Sequence, residues 1–193
     1  MRLVAKVLIA MAITTSSLSL PGQNCELLTS DSVADVIKYL SRPISSQESV
    51  CVDHAFKIIG SLPADQSIPL LVGYLGYKRP MSDTERRGIF LRIPKKDYLY
   101  PAVHELYDLG SLAEPALINF LSENDGETLT KENALYCLLL IEQGNVVSLI
   151  KKLNAQAEAL KGTKASSRLL GAARDSLKWC TKDMAEKCEG ALR

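Results

Sequence analysis

A helical hairpin pattern occurs three times along this chain and constrains the fold more than any other feature. The three copies align on the alanines at positions 55, 102 and 134. Apolar residues follow each alanine four and seven positions later: Ile59, Leu106 and Leu138, then Leu62, Leu109 and Ile141. Because these positions share one face of an α-helix, each copy predicts a first helix with one apolar face. The small alanine leaves room for a neighbouring helix to approach closely.

Each copy continues into a second predicted helix, which begins at Pro69, Pro115 or Val147. Proline is tolerated at a helix start because its missing N–H would have no intrahelical acceptor there. Leucines recur two and six positions after these starts: Leu71, Leu117 and Leu149, then Leu75, Leu121 and Leu153. The segment Ser32–Leu40 is similar to the second helix of the third copy. We expect it to be a leading helix that closes one end of the array.

Residues 32 to about 160 resemble the HEAT-like repeat family, in which a first helix is followed by a proline-started helix with spaced leucines. The resemblance implies an all-α fold, a short α-solenoid of HEAT-like helical hairpins with capping helices. It also implies a curved scaffold that binds other proteins, although some members of the family have catalytic or cofactor roles. A compact helical bundle is the alternative, because antiparallel helices need the same apolar spacing.

The copies are unevenly spaced, since the second and third lie 32 residues apart and the first and second 47. The extra length falls in residues 76–101, which we interpret as an inter-repeat insertion. Ser82 and Glu85 form a capping-box pattern that predicts a short helix from Ser82 to Arg92. Insertions in repeat arrays emerge on one surface, often the binding surface. Residues 163–193 are expected to form a C-terminal cap.

Residues 1–22 are predicted to be a secretory signal peptide, with a basic start, an apolar centre and a small polar end. Cleavage after Ser19 and after Gly22 fit equally well. An uncleaved anchor would need about twenty apolar residues, whereas polar residues begin at Thr14. Residues 23–193 are then a single domain, predicted to be periplasmic or secreted and without stable membrane insertion after signal cleavage.

The five cysteines of an exported chain are best interpreted through oxidation. Cys137 lies in an apolar helix and is expected to be buried and free. The preferred pairing of the others is Cys25 with Cys51 and Cys180 with Cys188, although four cysteines allow three connectivities. The second pairing requires a bend between them, because eight helical residues rise about 12 Å. No metal site is predicted, since CxxC and histidine-rich spacings are absent.

The sequence shows no catalytic constellation and no cofactor motif, which favours a protein that is not an enzyme. His104 and Asp108 lie one helical turn apart, but the second histidine of an HExxH motif is missing. The acidic residues at 123–127 lack the ligand order of a calcium loop and are interpreted as a solvated turn. The alternative is an envelope-associated enzyme that uses His104 with Asp108 or Glu105.

Charge is segregated along the chain. Residues 76–101 contain seven basic and three acidic residues, residues 102–144 contain eight acidic and one basic, and the remainder contains ten basic and five acidic. Without the two bases of the signal peptide the net charge is −1, so bulk attraction to nucleic acid is not expected. The distribution predicts an acidic middle, forming a groove, between basic regions.

The insertion is the predicted binding surface for a protein or peptide partner, because tyrosine and arginine are enriched in interface hot spots. The candidate residues are Tyr77, Arg79, Arg86, Arg87, Arg92, Lys95, Lys96, Tyr98 and Tyr100. The predicted function is an exported, non-enzymatic interaction module, with an inhibitor or immunity-type protein as a more specific version. A purely structural envelope component is a further alternative, and the sequence does not indicate an oligomeric state.

Overall fold

The computed structural model describes residue 25 and residues 32–89, 95–123 and 127–192. The predicted signal peptide, residues 1–22, lies outside these residues. Every regular element in the described part of the chain is a helix, so the all-α class is confirmed.

Eleven α-helices are present in the described ranges, in the order α1 (Val33–Leu40), α2 (Ser49–Gly60), α3 (Ala64–Gly73), α4 (Asp83–Ile89), α5 (Lys96–Leu99), α6 (Pro101–Asp108), α7 (Glu114–Glu123), α8 (Thr128–Ile141), α9 (Val146–Ala159), α10 (Lys164–Asp175) and α11 (Ala185–Ala191). Short 3-10 turns lie at Ser46–Glu48, Gly110–Leu112, Ser176–Trp179 and Lys182–Met184.

The predicted hairpin helices pack in the order of the repeats. The first helices α2, α6 and α8 form a row in which α6 contacts both of the others. The second helices α3 and α7 also pack on each other, and α1 packs on α2. The third hairpin differs, because α10 packs against both α7 and α9. The C-terminal segment therefore covers two repeats along their sides.

The residues that define the repeat form the hydrophobic core. All three aligned alanines are completely buried, and so are Leu71, Leu117 and Leu149, the leucines two positions after the predicted starts of the second helices. The residues seven positions after each alanine are partly buried at the edge of this core. The periodicity therefore identified the buried faces of six helices correctly, since burying these apolar faces removes them from water.

The predicted helix start at Pro69 is wrong, because α3 begins at Ala64 and contains Pro69 in its interior. The carbonyl of Pro63 accepts hydrogen bonds from the amides of Gln66 and Ser67, both at 2.9 Å, and this starts the helix one turn earlier. Pro115 and Val147 are each the second residue of their helices, as the pattern predicted.

Both predicted disulfides are present, with Cα–Cα distances of 5.3 Å for Cys25–Cys51 and 6.5 Å for Cys180–Cys188. The required bend is the 3-10 turn Lys182–Met184, which folds α11 back onto α9. Cys137 is free and fully buried, and burial raises the pKa of its thiol to about 12. Disulfides persist in oxidising environments, so the two bonds indicate an extracellular or periplasmic location.

Taken singly, the helices of the described segments are too short or too polar to cross a bilayer; α8 and α9 meet the length and composition criteria only as a pair, with a bend of 116° between them.

Candidate binding surface

Two short helices, α4 and α5, give the insertion a defined structure. The predicted capping box starts α4: the amide of Ser82 donates to Oε2 of Glu85 at 2.6 Å, and the amide of Glu85 donates to Oγ of Ser82 at 3.2 Å. The helix runs to Ile89, and the predicted end at Arg92 lies outside the described residues. Because a seven-residue helix is marginal alone, its conformation depends on contacts with the rest of the insertion.

A buried arginine supplies those contacts. The side chain of Arg79 is 2% exposed, and its Nη2 donates to a carboxylate oxygen of Glu85. Its Nε donates to the carbonyl oxygen of Tyr98 at 3.2 Å, and the guanidinium carbon lies 4.3 Å from the centre of the Tyr98 ring. Its Nη1 lies 3.3 Å from Oδ2 of Asp53 on α2. Arg79 therefore joins α4 and α5 to the first repeat.

The Tyr98 hydroxyl closes this cluster by donating to Glu85, and the amide of Arg79 donates to the carbonyl of Leu99 at 3.1 Å. We call Asp53, Arg79, Glu85 and Tyr98 the Arg79 network. Each segment of the described insertion thus has at least one hydrogen bond or ion pair to another segment.

Burial and hydrogen bonding shift the pKa values of the Arg79 network in different directions at different residues. Burial of Glu85 raises the pKa of its carboxyl, but hydrogen bonds from Tyr98, Ser82 and Arg79 outweigh that effect and lower the pKa to about 2. For Asp53, burial outweighs the attraction of Arg79, and the pKa is raised. The pKa of Tyr98 is raised by burial and by its bond to Glu85. Glu85 therefore faces Arg79 as an ionised carboxylate at neutral pH.

Five of the nine predicted binding residues do not present a free side chain in the described structure, or cannot be placed in it. Arg79 and Tyr100 are buried, at 3% and 7% exposure, so neither side chain is accessible to a partner in this structure. Tyr77 packs on the Phe56 ring, with 5.3 Å between ring centres. Lys96 pairs with Glu132, and Arg92 is outside the described residues.

The other four predicted residues are exposed. Arg86 and Arg87 lie next to each other on α4, and Lys95 precedes α5. The Tyr98 side chain is 44% exposed although its ring covers Arg79 and its hydroxyl is bound. The insertion therefore exposes three of the predicted basic side chains and one aromatic ring that is held in place by its contacts.

The charge segregation of the sequence is reduced in part by long-range pairing. Nζ of Lys96 and Nζ of Lys178 lie 3.1 and 2.6 Å from carboxylate oxygens of Glu132. Lys152 pairs with Glu114 at 2.7 Å and also with Glu142. Lysines from both basic regions thus pair with three of the eight acids of the middle region, which lowers the negative charge available there.

The insertion keeps a surplus of positive charge. Lys78, Arg86, Arg87 and Lys95 make no ion pair with any residue that the structure describes, and all four are exposed. Among the three acids of the insertion, Glu85 is paired with Arg79, Asp97 is partly buried and Asp83 is exposed. What remains accessible is therefore predominantly basic.

Sequence reasoning missed the roles of two acids in this site. Glu85 was recognised only as a helix cap, and Asp53 was not identified at all. Asp53 lies 26 residues before Arg79 on a different helix, so no local pattern signals the pair. Arg79 is one of seven basic residues in the insertion, and its position in the sequence equally fits an exposed side chain.

The alternative catalytic residues lie on the solvent side of α6. Nε2 of His104 is 3.7 Å from Oδ2 of Asp108, and their side chains are 50% and 58% exposed. Glu105 packs over Gly60, and burial raises its pKa. Over the described ranges, no group of three or more His, Cys, Asp or Glu residues is arranged to hold a metal ion. Residues 124–126 of the acidic turn lie outside those ranges.

No family model, curated protein or solved structure shows a significant match to this chain.

Proposed function

We propose that this protein is an exported, non-enzymatic binding module, a short HEAT-like solenoid that holds a protein or peptide partner on its insertion. The solenoid is supported by the packing of α2, α6 and α8 in repeat order and by the contact between α3 and α7. Export to the periplasm or outside the cell is supported by the two disulfides.

The observation that carries the proposal is the Arg79 network. A buried guanidinium bonded to both α4 and α5 holds a segment that would otherwise be too short to keep its conformation. A preorganised loop loses less conformational entropy when a partner binds. The insertion therefore presents Arg86, Arg87 and Tyr98 on a fixed support, and these are the residue types that dominate binding energy at interfaces.

Affinity capture from the exported-protein fraction of the source cells tests the proposal. The bait is the oxidised protein, and the variant is the double substitution Arg86→Glu/Arg87→Glu. The matched control is Lys151→Glu/Lys164→Glu, which changes the net charge equally at two exposed helical lysines outside the insertion. We expect a specific partner to be retained by the wild type and the control and lost from the arginine variant.

Identical partner lists from all three baits would contradict binding through the insertion. His104→Ala provides a further comparison, because it alters the exposed pair on α6 without touching the Arg79 network. Loss of capture in His104→Ala together with retention in the arginine variant would move the binding surface to α6.

A further inference from the structure

We infer that the insertion surface recognises an acidic peptide segment, a short stretch of glutamate or aspartate around an apolar residue in the partner; this rests on the proposed function above. The basis is a group of four exposed bases within the insertion, Lys78, Arg86, Arg87 and Lys95, none of which has an ion pair with a residue that the structure describes. Unpaired bases at an interface select partners of opposite charge and speed their association.

The Arg79 network connects the three stretches of chain that carry these bases. Lys78 precedes Arg79, and the two arginines of α4 directly follow Glu85. Lys95 is tied to the network through Tyr98, whose amide donates to the Lys95 carbonyl at 3.2 Å. Each of these four bases therefore lies within three residues of a network member. The ion pair and hydrogen bond of Arg79 hold the three stretches together.

Tyr98 gives the surface an apolar contact beside the charges. Its ring is fixed from below by the Arg79 guanidinium at 4.3 Å and by the bond from its hydroxyl to Glu85. With 44% of the residue still exposed, the ring offers contact area at little further cost in side-chain entropy. An acidic segment with one apolar side chain matches both features.

A second copy of this chain fits the surface less well. Three acids of its own middle region, Glu132, Glu114 and Glu142, are already paired with lysines, which reduces the negative charge that this region could offer to the insertion.

The test measures fluorescence anisotropy of a labelled peptide, Gly-Glu-Glu-Leu-Glu-Glu-Gly, against the oxidised full chain. The matched probe replaces each glutamate by glutamine. We expect the glutamate peptide to bind, with an affinity that falls as salt is raised, and the glutamine peptide to bind at least about tenfold more weakly. Arg86→Glu/Arg87→Glu should weaken binding by about tenfold or more, and Lys151→Glu/Lys164→Glu by less than about twofold.

Tyr98→Ala and Tyr98→Phe separate recognition from folding. Phenylalanine keeps the ring and removes only the hydroxyl bond, so it should retain most of the affinity while alanine loses it. Circular dichroism on each variant shows whether the helices are intact. The inference would be overturned if Lys151→Glu/Lys164→Glu weakened peptide binding as much as Arg86→Glu/Arg87→Glu. Equal affinity for the glutamate and glutamine peptides would also overturn it.

Tighter binding of a single-stranded DNA oligonucleotide or a sulfated polysaccharide than of the glutamate peptide would also overturn it. The outcomes distinguish the two proposals. If capture shows an insertion-dependent partner but the glutamate peptide does not bind, the acidic-peptide inference fails and the proposed function stands. If no captured partner depends on the insertion, the proposed function fails.

Discussion

Replacing Glu85 by glutamine should release the insertion from the rest of the fold. Glutamine has nearly the same shape and keeps one acceptor oxygen, but it removes the negative charge that faces Arg79 and accepts from Tyr98. It therefore approximates the protonated carboxyl. Because the folded pKa of Glu85 is about 2 and its unfolded value is about 4.5, ionisation of this carboxyl contributes about 3 kcal/mol to the free energy of unfolding at pH 7.

The sign of the pH dependence follows from that depressed pKa. A carboxyl whose pKa is lowered by folding contributes stability that is fully present above its unfolded pKa and is lost as the pH falls towards the folded value. The contribution of Glu85 should thus be about 3 kcal/mol at pH 7 and about 1.5 kcal/mol at pH 3. The difference in free energy of unfolding between the wild type and Glu85→Gln should shrink by the same amount between pH 7 and pH 3.

Hydrogen exchange is the assay that resolves this local effect. The amide of Arg79, bonded to Leu99, and the amide of Arg86, bonded to Ser82, report on the insertion. Both should exchange faster in Glu85→Gln at pH 7, while the amide of Leu149 in α9 should not change. Unchanged protection at Arg79 and Arg86, or a loss of protection that is the same at pH 7 and pH 3, would refute the reasoning.

Three further predictions concern the helical stack. Each disulfide can be removed by replacing its two cysteines with alanine, and the free energy of unfolding in urea should fall by about 3.5 kcal/mol for Cys25–Cys51 and about 2.6 kcal/mol for Cys180–Cys188. The first loss is larger because the longer loop restricts the unfolded chain more. Equal losses would contradict this entropic account. Asn133→Ala should cost about 2 kcal/mol in the same assay, since its buried amide donates to the Leu75 carbonyl at 2.6 Å, and a loss below about 0.5 kcal/mol would show that the bond is dispensable. Gly60→Ala should fold normally but displace the Glu105 carboxylate into solvent. An NMR titration should then show the raised pKa of Glu105 falling towards its ordinary value. An unchanged pKa would mean that the carboxylate does not lie over Gly60.

The parts of the fold that sequence predicted are those governed by local physics. The repeat face at Ala55, Ala102 and Ala134 was found because helical periodicity places every fourth residue on one side, and the core followed from it. The capping box at Ser82 and Glu85 was found for the same reason, since its partners lie three residues apart. Both disulfides were also predicted.

The errors arose where the outcome depended on distant partners or on competing local signals. Pro69 suggested a helix start, but Pro63 supplied a better one and the helix tolerated the loss of one backbone bond. The acidic groove was expected from composition, yet Glu132 is neutralised by Lys178, 46 residues away along the chain. Charge counted along a sequence does not show which side chains meet after folding.

Arg79 shows why the candidate site could be located but not resolved from sequence. As one of seven bases in the insertion it was grouped with Arg86 and Arg87, because composition treats every arginine alike. Folding separates them: burial of a guanidinium requires acceptors and opposite charge, so Glu85 and the Tyr98 carbonyl accept hydrogen bonds from Arg79, and the Asp53 carboxylate lies 3.3 Å from its Nη1. The buried arginine then determines where the exposed ones lie. A substitution at Arg79 would therefore abolish binding by disordering the surface, whereas one at Arg86 would weaken it by removing a contact, and hydrogen exchange of the insertion distinguishes the two causes.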